Sequence, residues 1–177
     1  MMNDVVPRAW ANAKLNKEFF CIETYSGYGS CRADYKGAMH LLAPDASDQA
    51  IGEALLDALS KSRFVLPEPR KDVWIHPEAT FDSKLYDFDA SEQRYKDWIS
   101  QLIEKYGYKT KRALFKDMKN CDIEIFSGKI IIGPSYHEKL EGWSGKGLSD
   151  ADNVVIPVTS TPDQVGFALR LAFSRCT

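Results

Sequence analysis

Apolar residues recur at helical spacing in three segments of the chain. From Ile51 to Leu59, apolar side chains fall at i, i+3, i+4, i+7 and i+8, which predicts one amphipathic helix with a single buried stripe. Asp45 or Ser47, just after Pro44, can accept hydrogen bonds from the free amides at the start of this helix. The first helix is therefore expected to begin close to residue 48.

The second helical segment has a more aromatic stripe, which runs from Tyr95 to Tyr106. Asp89 is predicted to begin the helix, because Glu92 follows it at the spacing of a capping box. Gly107 supplies the residue type at which helices commonly end.

The third segment repeats the stripe of the first, from Val165 to Phe173. Thr161 and Gln164 are spaced as a capping box, which predicts the helix start there. Phe167 and Leu171 add apolar surface on a second face, so this helix is expected to be the most buried of the three.

Strand signals lie between the helices, where aromatic and β-branched residues cluster between turn residues. The best hairpin prediction joins Cys121–Phe126 to Lys129–Gly133 through Ser127 and Gly128. A helix over Thr110–Met118 is favoured over a strand. The fold class that follows is α+β, with one or more antiparallel sheets and packed helices. The other predicted strands are Phe19–Tyr25 and Gly37–Leu42 around a turn at Ser26–Ser30, Val73–His76, and Val154–Val158.

The first and third helical segments are similar to each other in sequence. The chain contains DQAIGEALLDALSK from Asp48 and DQVGFALRLAFSR from Asp163, which superpose with a one-residue gap. Each follows a predicted strand, so we expect a duplicated strand-helix unit related by a pseudo-two-fold axis, in halves of about 16–64 and 119–177 of a single domain. Gly52 and Gly166 occupy the matching position and would permit a close approach of each helix to its neighbour.

Composition and charge exclude several classes of protein. The 177 residues are 44% hydrophobic and 27% charged, which is typical of a globular chain rather than a disordered one, a collagen or a coiled coil. The formal net charge of −2 disfavours a dedicated duplex-DNA binder, because neutralising phosphates requires a basic excess. The first ten residues lack the apolar core of a secretory signal, and no apolar run is long enough for a membrane span, so a cytoplasmic location is expected. The four cysteines are expected to be free thiols.

No residue pattern points to catalysis or to a cofactor. His40, His76 and His137 share no metal-ligand spacing, and His40 is expected to be an interior histidine with its hydrogen bonds satisfied. Residues 142–147 are glycine-rich but lack Walker A spacing, so a flexible surface loop is expected. The sequence therefore predicts no catalytic residue, no metal site, no cofactor and no enzyme activity.

Charge is concentrated in two blocks. Residues 78–92 contain five acids against one lysine, interleaved with aromatic residues, and residues 105–119 contain six bases against one acid. The basic block, with Tyr106, Tyr108 and Phe115 as candidate stacking partners, is where a nucleic-acid interface would lie. The alternative, which we favour, is a solvated basic face that could pair with the acidic block.

The chain resembles a bacterial family of contact-dependent growth inhibition (CDI) immunity proteins. The resemblance begins with NKEFFCIETYSGYGSCRADYKGAMHLLAPDASDQAIGEALLDALSKSRF (16–64) and continues through SGKIIIGPSYHEKLEGW (127–143) to the last helix. It implies a cytoplasmic antitoxin whose partner is the C-terminal toxin domain of a cognate effector, commonly a nuclease. It also implies a mixed α/β fold, in some relatives a duplicated, Whirly-type one. The alternative function is a Whirly-like single-stranded nucleic-acid binder, but nucleic acid is considered the less favoured partner.

The acidic block is the first candidate for the toxin interface, because exposed aromatics among charges of one sign combine anchoring area with electrostatic steering. An acidic surface also suits a nuclease site that must hold phosphates. A second candidate region lies near residue 140. The predicted toxin-binding residues are Asp82, Tyr86, Asp87, Phe88 and Asp89 in the first region and Glu138, Glu141 and Trp143 in the second.

Overall fold

The computed structural model describes residues 7–177 and confirms the α+β class. The helices are α1 (Asp48–Ser60), α2 (Ser83–Tyr86), α3 (Phe88–Tyr106), α4 (Lys111–Phe115) and α5 (Pro162–Ser174), with one turn of 3-10 helix at Asp150–Asp152. Among the described residues, no helix is both long enough and apolar enough to cross a membrane. The strands are β1 (Ala9–Leu15), β2 (Phe20–Tyr28), β3 (Ser30–Ala33), β4 (Met39–Leu42), β5 (Val65–Leu66), β6 (Thr80–Phe81), β7 (Lys119–Phe126), β8 (Lys129–Pro134), β9 (Tyr136–Lys139), β10 (Gly142–Ser144) and β11 (Val154–Pro157).

A seven-stranded antiparallel sheet organises the molecule. Its order is β11-β8-β7-β1-β2-β3, and β4 pairs with the other end of β2. Because neighbouring side chains of a strand point to opposite faces, Phe20 and Ile22 join the core formed with α1 and α5. Phe19 and Cys21 instead pack with α3 and α4. The sheet is therefore covered by helices on both faces, with α1 and α5 on one and α3 and α4 on the other.

The element order repeats across the middle of the sheet. A hairpin, an outer strand and a helix occur as β1-β2-β4-α1 and again as β7-β8-β11-α5. In the first unit Phe20 pairs with Leu42, and in the second Ile130 pairs with Ile156. The sheet is continuous across both units. The prediction that a pseudo-two-fold axis relates them, which would superpose residues 36–61 on 152–175, stays a prediction.

The two helices of the repeat approach each other through their glycines. A Cβ atom on Gly52 would lie 1.8 Å from the carbonyl oxygen of Pro162, and one on Gly166 would lie 1.8 Å from the carbonyl oxygen of Asp48. Pro162 and Asp48 are the first residues of α5 and α1, and each glycine is the fifth. The contact is thus reciprocal, and no side chain larger than hydrogen fits at either position.

The helix starts follow the capping residues, with one correction. The Ser47 side chain accepts a hydrogen bond from Ala50 at the start of α1, and Thr161 and Gln164 form the expected capping box of α5. The prediction that Asp89 begins α3 is wrong: Asp87 is the cap and accepts a hydrogen bond from the Ala90 amide. The helix begins at Phe88, one residue before the predicted start, because the Asp87 carboxylate already accepts a hydrogen bond from one of the first free amides.

Several strand predictions require correction. Residues 73–76 form no strand, and the short parallel pair β5-β6 flanks that segment instead. The turn expected over Ser26–Ser30 is confined to Gly29, whose φ of +100° is accessible to glycine, so that β2 extends to Tyr28 and β3 follows. Gly142–Ser144 is strand β10 rather than part of a flexible loop. The β7-β8 hairpin is confirmed, with Gly128 in the left-handed region.

The prediction that α5 is the most buried helix through a second apolar face is also wrong. Phe167 is 62% exposed and Leu171 is 36% exposed. The stripe from Val165 to Phe173 alone reaches the core. Phe167 and Leu171 remain partly exposed at a shallow concavity shared with β11, because one stripe suffices for a helix that packs on a sheet and on one partner helix.

Replacing Gly52 by Ala tests the helix contact. Alanine is otherwise the better helix former by about 1 kcal/mol, but here its methyl group would meet a backbone carbonyl that cannot move without separating the helices. We expect Gly52→Ala to lower the free energy of unfolding by about 3 kcal/mol, the upper part of the range for overpacking, in urea denaturation. The control is Gly145→Ala, where a Cβ would meet no atom within 4 Å. Equal stability of the two variants would contradict the assignment.

Candidate functional site

A cleft of about 630 Å³ separates α3 from part of the sheet. It lies on the sheet face opposite α1 and α5, where α3 packs only along its second half, at Ile99 and Leu102. The earlier turns of α3, which carry Ser91, Arg94 and Tyr95, line the cleft and contribute no residue to the buried core. Side chains that line it include Lys14, Glu23 and Arg32 from the sheet and Arg94, Tyr95 and Trp98 from α3.

An ion-pair network closes one end of the cleft. Nε of Arg63 lies 2.6 Å from the Asp34 carboxylate, and its Nη2 lies 3.0 Å from Asp82. The Tyr35 hydroxyl donates to Asp82 over 2.6 Å. Tyr35 and Arg63 together hold the pKa of the Asp82 carboxyl well below its ordinary value. Asp82 was predicted to bind the toxin, which stays a prediction; its side chain is only 8% exposed and is engaged in these contacts within the chain.

Tyr86 lies next to this network and is also engaged within the chain. Its hydroxyl donates to the carbonyl oxygen of Val65. The Arg32 guanidinium, which lines the cleft, lies 4.2 Å from the centre of the Tyr86 ring, a cation–π contact. Asp87 and Asp89 are exposed, although Asp87 also caps α3. Phe88 is 77% exposed, more than any other large hydrophobic residue in the described part of the chain.

The second predicted region closes the other end of the cleft. Tyr95 donates its hydroxyl to Glu141 over 2.7 Å, and Lys111 forms an ion pair with the same carboxylate at 2.8 Å. The Trp143 indole donates to the carbonyl oxygen of Met118 over 2.9 Å. Glu138 is exposed.

Lys14 connects this end to the floor of the cleft. Its Nζ lies 5.6 Å from the centre of the Trp98 ring and 5.5 Å from that of Trp143. None of the eight predicted residues lines the cleft itself. Members of both regions instead contact side chains that do: Asp82 and Tyr86 contact Tyr35 and Arg32, and Glu141 and Trp143 contact Tyr95 and Lys14. Lys14, Glu23 and Tyr25 were missed, since β1 was not identified and the β2 pattern was considered only for its apolar residues.

The two charge blocks do not pair with each other among residues 7–177. Of the three aromatics in the basic block, Phe115 is fully buried. Tyr106 stacks on Phe19 with ring centres 4.6 Å apart, and the Tyr108 hydroxyl accepts a hydrogen bond from Asn16. These rings are used within the fold rather than presented for base stacking.

The histidines occupy three unrelated environments. His40 is not interior as predicted: it is half-exposed on the outer strand β4, with Nε2 2.7 Å from the Asp57 carboxylate. His76 is buried and stacks on Phe64, and His137 stacks on Trp143 with ring centres 4.9 Å apart. Within the described residues, no three potential metal ligands converge.

Comparison with known proteins places this geometry in a family. The family model described as "CDI immunity protein" matches residues 9–176. The chain belongs to this family. A curated family member from Yersinia pseudotuberculosis serotype O:3 (strain YPIII), the immunity protein CdiI-YPIII, is 56% identical over 175 residues, which is 99% of each chain.

Two solved structures share the fold of the present chain over nearly its whole length. One comes from a CdiA-CT/CdiI toxin and immunity complex of Yersinia pseudotuberculosis: the TM-score is 0.94 at 55% identity, over 98% of this chain and all of the other. The second is a Neisseria meningitidis protein of unknown function, with a TM-score of 0.82 at 36% identity over the full length of both chains.

Replacing Asp82 by Asn tests the structural role of that carboxylate. We expect Asp82→Asn to lower the free energy of unfolding at pH 7 by about 1–3 kcal/mol, because it removes charge-assisted hydrogen bonds from a partly buried network. Since the pKa of Asp82 is lowered in the folded state, this stabilisation is present above about pH 4 and is lost as the pH falls below it. Glu138→Gln, on an exposed acid, is the matched control, and denaturation at pH 7 and pH 2.5 is the measurement. If Asp82→Asn is as stable as the wild type at pH 7, the Asp82 carboxylate does not stabilise the fold, which would contradict its structural role.

Proposed function

We propose that this chain acts in the cytoplasm as an immunity protein, without catalysis of its own, and neutralises the toxin domain of a cognate CDI effector by binding it. The observation that carries the proposal is the full-length likeness to an immunity protein solved in a CdiA-CT/CdiI complex, at 55% identity and a TM-score of 0.94. At such identity the fold and the general binding function are usually shared, whereas partner choice depends on a few surface residues.

The cleft between α3 and the sheet is the surface that we assign to the toxin. It is a preformed concavity of about 630 Å³, and residues of both regions predicted from the sequence contact its lining without being part of it. Arg32 and Tyr35 connect its lining to Tyr86 and Asp82, while Tyr95 and Lys14 connect it to Glu141 and Trp143. A concave surface lined with aromatic and arginine side chains has the composition of an interface core.

The cleft also borders an open strand edge. The Thr24 amide donates to the Ala38 carbonyl, so Thr24 and Ala38 form a hydrogen-bonded pair of the antiparallel ladder. Because such pairs alternate with pairs that are not hydrogen-bonded, the backbone groups of Met39 and Leu41 point away from β2. Among the described strands, only β2 pairs with β4. An extended toxin segment could therefore pair with β4 while its side chains enter the cleft.

The opposite edge of the sheet is protected from such pairing. In β11, Pro157 has no amide to donate, and its carbonyl accepts from Ser160. Arg175 covers the carbonyl of Asn153, at the residue just before β11. The contrast between the two edges supports β4 as the binding edge.

Exposed acids and one exposed ring at the start of α3 extend this surface. Ser91 lines the cleft, and the two to four residues before it in the chain are Asp87, Phe88 and Asp89. If the toxin is a nuclease, as the acidic charge favours, these acids raise the association rate with its basic surface, and Phe88 supplies apolar contact area.

Co-expression with the toxin domain encoded beside this protein tests the function. We expect growth to be restored and the two proteins to co-purify, because neutralisation by binding requires a stable complex. A toxin from an unrelated effector is the control and is expected to remain lethal. Failure of rescue and of co-purification, together with sub-micromolar binding to single-stranded DNA, would replace this function with the nucleic-acid-binding alternative.

Two exposed phenylalanines provide a matched pair for locating the interface. Phe88 lies beside the cleft, and Phe167, 62% exposed, lies on α5 on the other side of the sheet. We expect Phe88→Ala to weaken toxin binding about tenfold or more, the loss of a contact worth over 1 kcal/mol, in titration calorimetry. Phe167→Ala should bind as the wild type does, and neither change should alter thermal stability. A larger loss for Phe167→Ala would move the interface to α5.

A further inference from the structure

Four polar groups that line or adjoin the cleft lack a strong partner within residues 7–177, and one of them is the buried Nε of Arg32. Among these residues no cationic group lies within 4 Å of the Glu23 carboxylate, and the side-chain hydrogen bond that Glu23 makes there is with the thiol of Cys21. The Tyr25 hydroxyl forms no hydrogen bond with another side chain in the same residues. The Trp98 indole N–H is buried and has no partner in the described part of the chain other than the Cys21 sulfur. The Trp98 and Arg32 nitrogens are buried, where polar groups are normally satisfied, and Glu23 and Tyr25 are half-buried beside them. A partner that enters the cleft would supply the missing contacts.

The cationic side chains that line the cleft near Glu23 also contact other groups. Nζ of Lys14 lies 2.7 Å from Oδ1 of Asn12 and over two indole rings. The Arg32 guanidinium lies over the ring of Tyr86, and that of Arg94 lies 4.7 Å from the ring centre of Tyr35. Burial raises the pKa of the Glu23 carboxyl, and the charge of Lys14 offsets that rise only in part.

We propose that Glu23 is the specificity-determining acid of the cleft and receives a lysine or arginine side chain of the toxin domain. This inference rests on the proposed function and deepens it. A cation is the matching chemistry, because it pairs with a carboxylate and is attracted to the faces of the aromatic rings beside it. Tyr95 and Trp98 supply those faces, with ring centres 5.9 Å apart.

In the unbound protein the Glu23 carboxylate lowers the stability of the fold, and binding of a cation removes this unfavourable free energy. A half-buried acid whose charge Lys14 offsets only in part is destabilising, and a partner cation compensates it. Glu23 is therefore expected to contribute to affinity and not to folding stability. A structural acid such as Asp82, which is paired within the chain, behaves in the opposite way.

Glu23→Gln tests the inference. The change keeps the shape of the side chain and removes its charge, so we expect toxin affinity to fall at least ~30-fold, the lower bound for truncating a buried charge pair, with stability equal to or above that of the wild type. Asp97→Asn is the matched control, because Asp97 lines the same cleft but is exposed and accepts a hydrogen bond from Gln93 at 2.9 Å. It should change affinity by less than ~5-fold, the scale of a rim charge.

The partner residue is identified from the toxin side. Each lysine and arginine of the toxin domain is replaced by glutamine, and one such variant is expected to bind Glu23→Gln and wild-type protein equally, which defines the pair in a double-mutant cycle. Equal affinity of Glu23→Gln and wild type would overturn the inference and leave the proposed function intact. So would a loss of affinity matched by a loss of stability. Absence of wild-type binding would instead refute the proposed function.

Discussion

The reciprocal glycine contact between α1 and α5 is the constraint on which the rest of the structure depends. The carbonyl oxygens of Pro162 and Asp48 lie 1.8 Å from where Cβ atoms of Gly52 and Gly166 would be. The two helices are therefore close enough to cover one face of the sheet as a single layer. Arg170 strengthens the contact, since it hydrogen-bonds to Asp48 and to the carbonyl oxygen of Pro44 ahead of α1. The core of Phe20, Ile22, Ile130 and Ile132 is thereby closed on that side. The opposite face is left to α3, which covers only part of it, and the cleft is the remaining uncovered region.

The sequence predicted the elements in which local physics and packing agree. The apolar stripes of α1 and α5, their caps at Ser47 and Thr161 and the β7-β8 hairpin all depend on residues close together in the chain. Strand β1 was not predicted because its core face is Ala11 and Ala13 and its other face carries Asn12 and Lys14, a pattern with little β-propensity. Only its position between β2 and β7, a non-local fact, makes it a central strand.

The candidate site was predicted in part, for a similar reason. Exposed aromatic and acidic residues mark Phe88 and Asp89 from composition alone, and Trp143 was named with Glu138 and Glu141 as a second candidate region. That Asp82 would be held by Arg63 and Tyr35 could not be predicted, because the three residues are far apart in sequence and meet only when β5, β6 and the β3-β4 turn assemble. The floor of the cleft depends likewise on the pairing of β1 with β2. Local sequence thus indicates which residues are available for binding, and tertiary packing decides which of them remain free.

The central claim is that the toxin domain occupies the cleft and the open edge of β4. Hydrogen–deuterium exchange on the purified chain, alone and with its cognate toxin domain, measures this directly, because a partner that pairs with a strand edge slows exchange of the outward-facing amides. The account predicts new protection at Met39 and Leu41 and in the first turns of α3, with α5 and β11 unchanged. Protection confined to α5 and β11, with the amides of β4 exchanging as in the free protein, would contradict it.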